Sequence, residues 1–291
     1  MELNDLLQKK GIDPESVLVL RHRPTEQRLC KRLPWLAAEK PALYNAYQQT
    51  QTEKLEKAML KASYVASFIG NEAKKALFVG LYSIGQSHPM TYNEYWRFPA
   101  HIELQSFGMR GFTKDDNRPS ILFFDLALTD FYQSWKGKMV IDWPPPERSW
   151  WRRASRNNMP VLSIFEDSVL DKGIPEWEKI ILSWDDLKIL PARWVSALSQ
   201  WRAIYYIFDV ADGKGYVGSA YGKDNLWRRW ARYAETGHGG NRLLRSRDPQ
   251  NFHFSILQRV SPDMNAEDII QIENTWKERL HTRHPHGLND N

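Results

Sequence analysis

Short apolar runs separated by turn-prone spacers dominate the chain, and most are too short for helices. Ala203-Ile204-Tyr205-Tyr206-Ile207 and Gly215-Tyr216-Val217-Gly218-Ser219 flank Asp209-Val210-Ala211-Asp212-Gly213-Lys214, a spacer with the aspartates and glycine of a turn. The pattern predicts a β-hairpin that carries a tyrosine on each strand. Upstream, residues 75–85, 120–126, 138–143, 160–165 and 179–184 are apolar runs of strand length, the third stopped by Pro144-Pro145-Pro146. Several short strands with few helices between them predict a small β-barrel-like unit.

Helical spacing appears elsewhere. Residues 42–69 contain no glycine or proline until Gly70 and predict a helix whose polar centre, residues 48–57, faces solvent. Asp185-Asp186-Leu187-Lys188-Ile189-Leu190-Pro191 marks a boundary, and Pro191 opens a short helix. Asp224 is placed to cap a helix over 225–236 that Gly237 stops, with Leu226, Trp230 and Tyr233 as its inward stripe. Arg229 and Tyr233 lie one turn apart, so their side chains can converge. Asn251-Phe252-His253-Phe254-Ser255-Ile256-Leu257 predicts a third strand, and Asn265 caps a helix from Ala266 to about Arg283. The expected organisation is α+β: an N-terminal domain over 1–187, a linker helix over 188–200 and a C-terminal domain over 201–291.

Composition narrows the class. The 291 residues include one cysteine, Cys30, which excludes an internal disulfide and a thiolate metal cluster. That usage suits a reducing, cytoplasmic compartment. No apolar run of about 18 residues is present, so no membrane span is expected. The net charge of +5 permits a polyanionic partner without requiring one. The 13 tryptophans and 12 tyrosines fill cores by default, but they also offer faces for unpaired bases.

Three segments carry candidate chemistry. In Arg148-Ser149-Trp150-Trp151-Arg152-Arg153, arginine forks match phosphates and tryptophans offer stacking surfaces; a buried tryptophan pair with solvated arginines is the structural alternative. Gly237-His238-Gly239-Gly240-Asn241 is a backbone-permissive loop, with His238 and Asn241 as candidates for DNA contact. Glu273 shares a helix face with Ile269, Trp276 and Leu280. A carboxylate on an apolar stripe needs a partner: an arginine in a salt bridge, or a hard cation such as Mg²⁺.

The residues from about 200 onward resemble the GIY-YIG endonuclease domain. Ala203-Ile204-Tyr205 stands for its first motif, with alanine for the leading glycine, and Tyr216-Val217-Gly218 for its second. The resemblance implies a three-stranded antiparallel sheet flanked by helices, and phosphodiester hydrolysis with one divalent metal, Mg²⁺ or Mn²⁺. It implies a catalytic set of Tyr205, Tyr216, Arg229, Tyr233, Glu273 and Asn289. In that set Tyr205 takes a water proton, Tyr216 and Arg229 hold the phosphate, and Glu273 binds the metal. More loosely, Ala76-Leu77-Phe78-Val79-Gly80-Leu81-Tyr82, Trp135-Lys136-Gly137-Lys138 and Trp150-Trp151-Arg152-Arg153 resemble PUA-like β-barrels. Several of those hold a flipped-out modified base in an aromatic pocket.

Together the resemblances imply an endonuclease of double-stranded DNA, with a modification-dependent restriction enzyme acting on foreign phage DNA with altered cytosines as the leading reading. A sequence-specific type II restriction enzyme, a repair nuclease and a catalytically silent DNA-binding protein are the alternatives. Cutting both strands with one site per chain requires a homodimer or two successive nicks.

Overall fold

The computed structural model describes every residue except Asn71, Lys172, Lys223, Asp224 and Asn291, so the expected cap at Asp224 lies outside the described residues. The chain divides into two compact units, residues 1–172 and 173–291. The fold class is α+β, with one sheet in each unit.

In the first unit the strands are β1 (Val17–His22), β2 (Tyr64–Ile69), β3 (Lys75–Thr91), β4 (Ser120–Leu128), β5 (Met139–Asp142), β6 (Trp151–Arg153) and β7 (Val161–Ile164). They form one seven-stranded sheet in the order β6-β1-β2-β3-β5-β7, with β4 also paired to β3. Among the described residues the sheet ends on β6, β7 and the branching β4, as a curled half-barrel. The helices are α1 (Leu3–Lys9), α2 (Gln27–Glu39), α3 (Pro41–Gln48), α4 (Glu53–Met59), α5 (Tyr92–Tyr95) and α6 (Pro99–Ser106).

The helix expected over 42–69 breaks into α3, α4 and the central strand β2, and a second central strand, β1, lies outside every run read as a strand. These two strands run parallel, and β1 and nearly all of β2 are buried on both faces. Such strands are continuously apolar and lack the alternation that reveals half-buried strands. One core layer sets Leu33, Leu36 and Tyr44 of α2 and α3 against Ile69, Leu77 and Val79. A second sets Leu3, Leu6 and Leu7 of α1 against Phe68, Phe78 and Trp143.

The second unit contains β8 (Ile181–Ser183), β9 (Arg202–Asp209), β10 (Gly215–Ala220) and β11 (Phe252–Val260), with α7 (Ala192–Gln200), α8 (Asn225–Thr236) and α9 (Ala266–Arg279). The expected hairpin is β9–β10, in a register that sets Gly218 opposite Tyr205. The sheet has four antiparallel strands, β10-β9-β11-β8, one more than expected. The extra strand is β8, read from the sequence with the N-terminal unit; it pairs with β11 through Leu182 and Phe254. Residues 181–183 therefore belong with the second sheet, ahead of the expected boundary at 187.

The period of two along β10 sends alternate residues to opposite sides of the sheet. Tyr205, Ile207 and Tyr216 pack beneath Leu226, Trp230 and Tyr233 of α8. Ile204 and Val217 pack beneath Ile269 of α9 on the other side. Each large side chain buried in this way contributes about 1.5–3 kcal/mol of hydrophobic stabilisation. Because β10 is an edge strand, groups from both helices can meet beside it. Among the described residues no helix is long and apolar enough to cross a membrane.

Candidate active site and nucleic-acid interface

The site in the second unit is built on the edge strand β10. Tyr205 on β9 is fully buried, and its Oη accepts hydrogen bonds from Arg229 Nε at 3.3 Å and Nη2 at 3.2 Å. Tyr233 Oη lies 3.2 Å from Tyr205 Oη. Either hydroxyl of this pair can donate to the other. Asn241 Nδ2 also donates to Tyr233 Oη, at 2.5 Å. The Tyr216 ring lies 6.4 Å from that of Tyr205. Five residues from two strands, a helix and a loop thus form one polar cluster inside an aromatic shell.

Glycines make room for the cluster. A Cβ at Gly218 would run into the Tyr205 hydroxyl and the Tyr216 ring, so the strand tolerates only hydrogen there. Gly239 has a φ of +57°, in the left-handed region, and a side chain on it would strike the Tyr233 ring. The second motif's glycine and the loop's glycine are therefore packing requirements of the phenol cluster.

Burial sets the electrostatics. It pushes the Tyr233 phenol well up, with the neighbouring Tyr205 adding to the effect. Tyr216 is also pushed up, first by burial, then by Tyr205; Arg229 opposes this and Glu273 adds to it. Arg229 is held above its ordinary value chiefly by the Tyr205 oxygen beside it. A guanidinium held in this position favours an anion beside it.

Glu273 approaches from α9. Its Oε1 lies 2.8 Å from Lys277 Nζ, and its Oε2 accepts from Ser219 Oγ on β10. The expected partner was an arginine or a metal; the partner in the structure is a lysine one turn along the same helix. Of the other residues expected on that stripe, Ile269 is buried, Trp276 is half-buried and Leu280 is exposed beyond the helix end. Among the described residues no group of three or more His, Cys, Asp or Glu is arranged to hold a metal ion. A single carboxylate suits Mg²⁺, which keeps several waters and takes one or two carboxylates plus substrate oxygens.

The fold gives three of the expected site residues definite surroundings. Tyr205, expected to take a proton from water, has no exposed surface; Tyr216, at 8% exposure, and half-buried Arg229 form the accessible side. Asn289, expected to be catalytic, spends its amide on the backbone. Oδ1 accepts from Val217 N at 2.9 Å and Nδ2 donates to Val217 O at 2.8 Å, so it pins β10. His238 Nδ1 accepts from Gly240 N at 2.9 Å, which gives it a part in shaping its own loop.

The Arg/Trp segment of the first unit is also split by the fold. Arg152 Nη2 donates to the carbonyls of Pro144 and Pro146, and its guanidinium lies over Trp143, so it ties down the proline turn. Trp151 and Arg153 are half-buried on β6, where they pair with Leu20 and Leu18 of β1. Arg148 and Trp150 instead line an open cavity of about 1000 Å³, shared with Arg21, His22, Arg23 and Tyr47. Arg23 and Arg148 are exposed at this cavity, and Trp150 and Tyr47 are half-buried. His22 is buried against Gln48, 3.3 Å away, and burial holds its imidazole down at about 4. Arg21 is committed to the carbonyls of Lys75 and Glu72.

Sequence reasoning missed the cavity because its lining comes from β1, α3 and the segment before β6. It also missed Lys277 and Ser219, although the four-residue spacing from Glu273 to Lys277 is an ion-pair signal on a helix.

No protein-family model and no curated protein matches the chain. Among solved structures, the chain is similar to the catalytic domain of homing endonuclease I-TevI. The likeness covers 31% of this chain and 98% of that one, at 28% sequence identity and a TM-score of 0.26.

Proposed function

We propose that the chain is an endonuclease of double-stranded DNA, of the GIY-YIG type, that hydrolyses phosphodiesters at the β10 edge. The observation that carries this reading is the convergence of Arg229, Tyr205, Tyr216 and Tyr233 beside the single carboxylate of Glu273. Hydrolysis adds water to phosphorus and breaks the bond to the leaving oxygen, so negative charge builds on the phosphoryl oxygens. Arg229 is held by Tyr205 in an orientation ready to neutralise that charge. Tyr216, kept protonated by burial, donates a hydrogen bond to a phosphoryl oxygen. Asn241 and Tyr233 fix the rotamer of Tyr205, and Asn289 fixes the strand that carries Tyr216. Glu273 would hold a divalent cation, Mg²⁺ or Mn²⁺, which supplies Lewis-acid stabilisation and an activated water.

The test is Glu273→Ala in metal-purified buffer with Mg²⁺ restored: nicking of DNA should disappear while the fold survives. Undiminished nicking would defeat the assignment.

The first unit supplies target recognition in this reading, as a PUA-like reader of modified DNA, and the enzyme is a modification-dependent restriction enzyme. The supporting observation is the cavity. Its exposed arginines, Arg23 and Arg148, suit phosphates, and Tyr47 and Trp150 suit a base face. At about 1000 Å³ it sits at the top of the range for drug-sized ligands, which leaves room for a base with a substituent. The uncleaving Glu273→Ala protein should bind a duplex with substituted cytosines more tightly than the plain duplex. Equal binding of the two would remove the modification part while leaving the nuclease part standing.

A further inference from the structure

We propose that Lys277 is a positioning residue that keeps the Glu273 carboxylate closed to a divalent cation until a phosphodiester joins it. The inference rests on the reading of Glu273 as the metal ligand. Lys277 is 3% exposed in its side chain and Glu273 16%, and their charged atoms are 2.8 Å apart across one helical turn. A lysine is almost never this buried unless paired, so its ammonium is a fixed cation of the site and not a surface charge free to swing away. Ser219 donates to the second carboxylate oxygen, so both oxygens of Glu273 are engaged before any ligand arrives.

The charge balance follows. Glu273 and Lys277 cancel and Arg229 adds a positive charge nearby, so a divalent ion arriving alone meets no net negative charge and a like charge in contact with the carboxylate. A bound phosphodiester offsets the Arg229 charge and adds oxygen ligands of the kind Mg²⁺ prefers. Ion and substrate therefore bind with positive coupling, each raising the affinity for the other by the same factor. The buried ammonium sets the size of that coupling.

The experiment is a titration of the full chain with Mn²⁺, free ion being read by electron paramagnetic resonance. It is run with and without a phosphorothioate duplex that resists hydrolysis, after subtraction of ions held by the duplex alone. Wild-type protein should bind Mn²⁺ weakly, and the duplex should raise its affinity. Lys277→Gln should raise the affinity of the duplex-free protein about tenfold or more, since a like charge in contact has been removed. Lys277→Arg, which keeps the charge, should stay weak. Unchanged affinity in Lys277→Gln, or no effect of the duplex on the wild type, overturns the proposal. If Lys277→Gln fails to fold, Lys277→Met is read in its place, with the same gain expected and unchanged affinity overturning the proposal. Glu273→Gln separates the two levels of inference. Loss of Mn²⁺ binding there, with Lys277→Gln unchanged, sinks the gating alone, whereas unchanged binding there sinks the reading of Glu273 as the ligand.

Discussion

Asn289→Ala tests how β10 is held. Leu288 N donates to Gly215 O at 2.8 Å, and the Asn289 amide takes both backbone groups of Val217. This segment thus covers the free edge of the sheet beside the hairpin. Alanine would leave one N–H and one C=O without partners at a position where Asn289 is 2% exposed. A buried backbone group left unmade costs about 1–3 kcal/mol, so the pair costs about 2–6 kcal/mol if both stay dry. Water reaching the opened edge brings the value toward the lower end, about 2 kcal/mol. The assay is hydrogen exchange at the Val217 amide. If that amide exchanges by local opening, a loss of about 2 kcal/mol speeds it by about thirtyfold. Asn289→Asp keeps the acceptor for Val217 N and loses the donor to Val217 O, so it should expose this amide less than alanine does. A Val217 amide as protected in Asn289→Ala as in the wild type would refute the clamp.

Other substitutions and one pH scan follow from the same contacts. Gly218→Ala drives a methyl into the Tyr205 hydroxyl and should cost about 1–3 kcal/mol by thermal melting. Adding Tyr205→Phe removes the oxygen it strikes, so the double variant should lose less than the sum of the singles, and strict additivity would contradict the packing. His22 is held at about 4 in the fold against an ordinary 6.5, so between those pH values the unfolded chain takes up a proton that the native chain refuses. Stability should therefore rise with pH through this window, by up to about 3 kcal/mol, and His22→Asn should flatten that slope in urea titrations. Arg247→Ala leaves Asp209, 2% exposed in its side chain, without the guanidinium 2.6 Å away; urea unfolding should show a loss of about 3 kcal/mol.

The sequence by itself determined the local parts of the second unit. The β9–β10 hairpin shows as two apolar runs around Asp212-Gly213. The α8 stripe of Leu226, Trp230 and Tyr233 shows at helical spacing, and all three are fully buried. These signals are legible because each element buries one face only, so its period is written in neighbouring residues. The motif residues are named from the resemblance to the GIY-YIG domain and not from this period. Only the tertiary structure decided the rest. β1 and β2 are covered on both faces, which erases the period and let β2 pass for the end of a helix. β8 changes sheets because pairing partners are chosen across many residues. Whether Asn289 faces a substrate or a backbone, and whether Glu273 meets an arginine or Lys277, depends on which side chains the β10 edge brings within 3 Å. The resemblance gives Tyr205 the part of a base, and α8 buries it while Arg229 and Tyr216 form the accessible side. Spacing along a chain reports which face a residue lies on; what stands opposite that face is settled by packing.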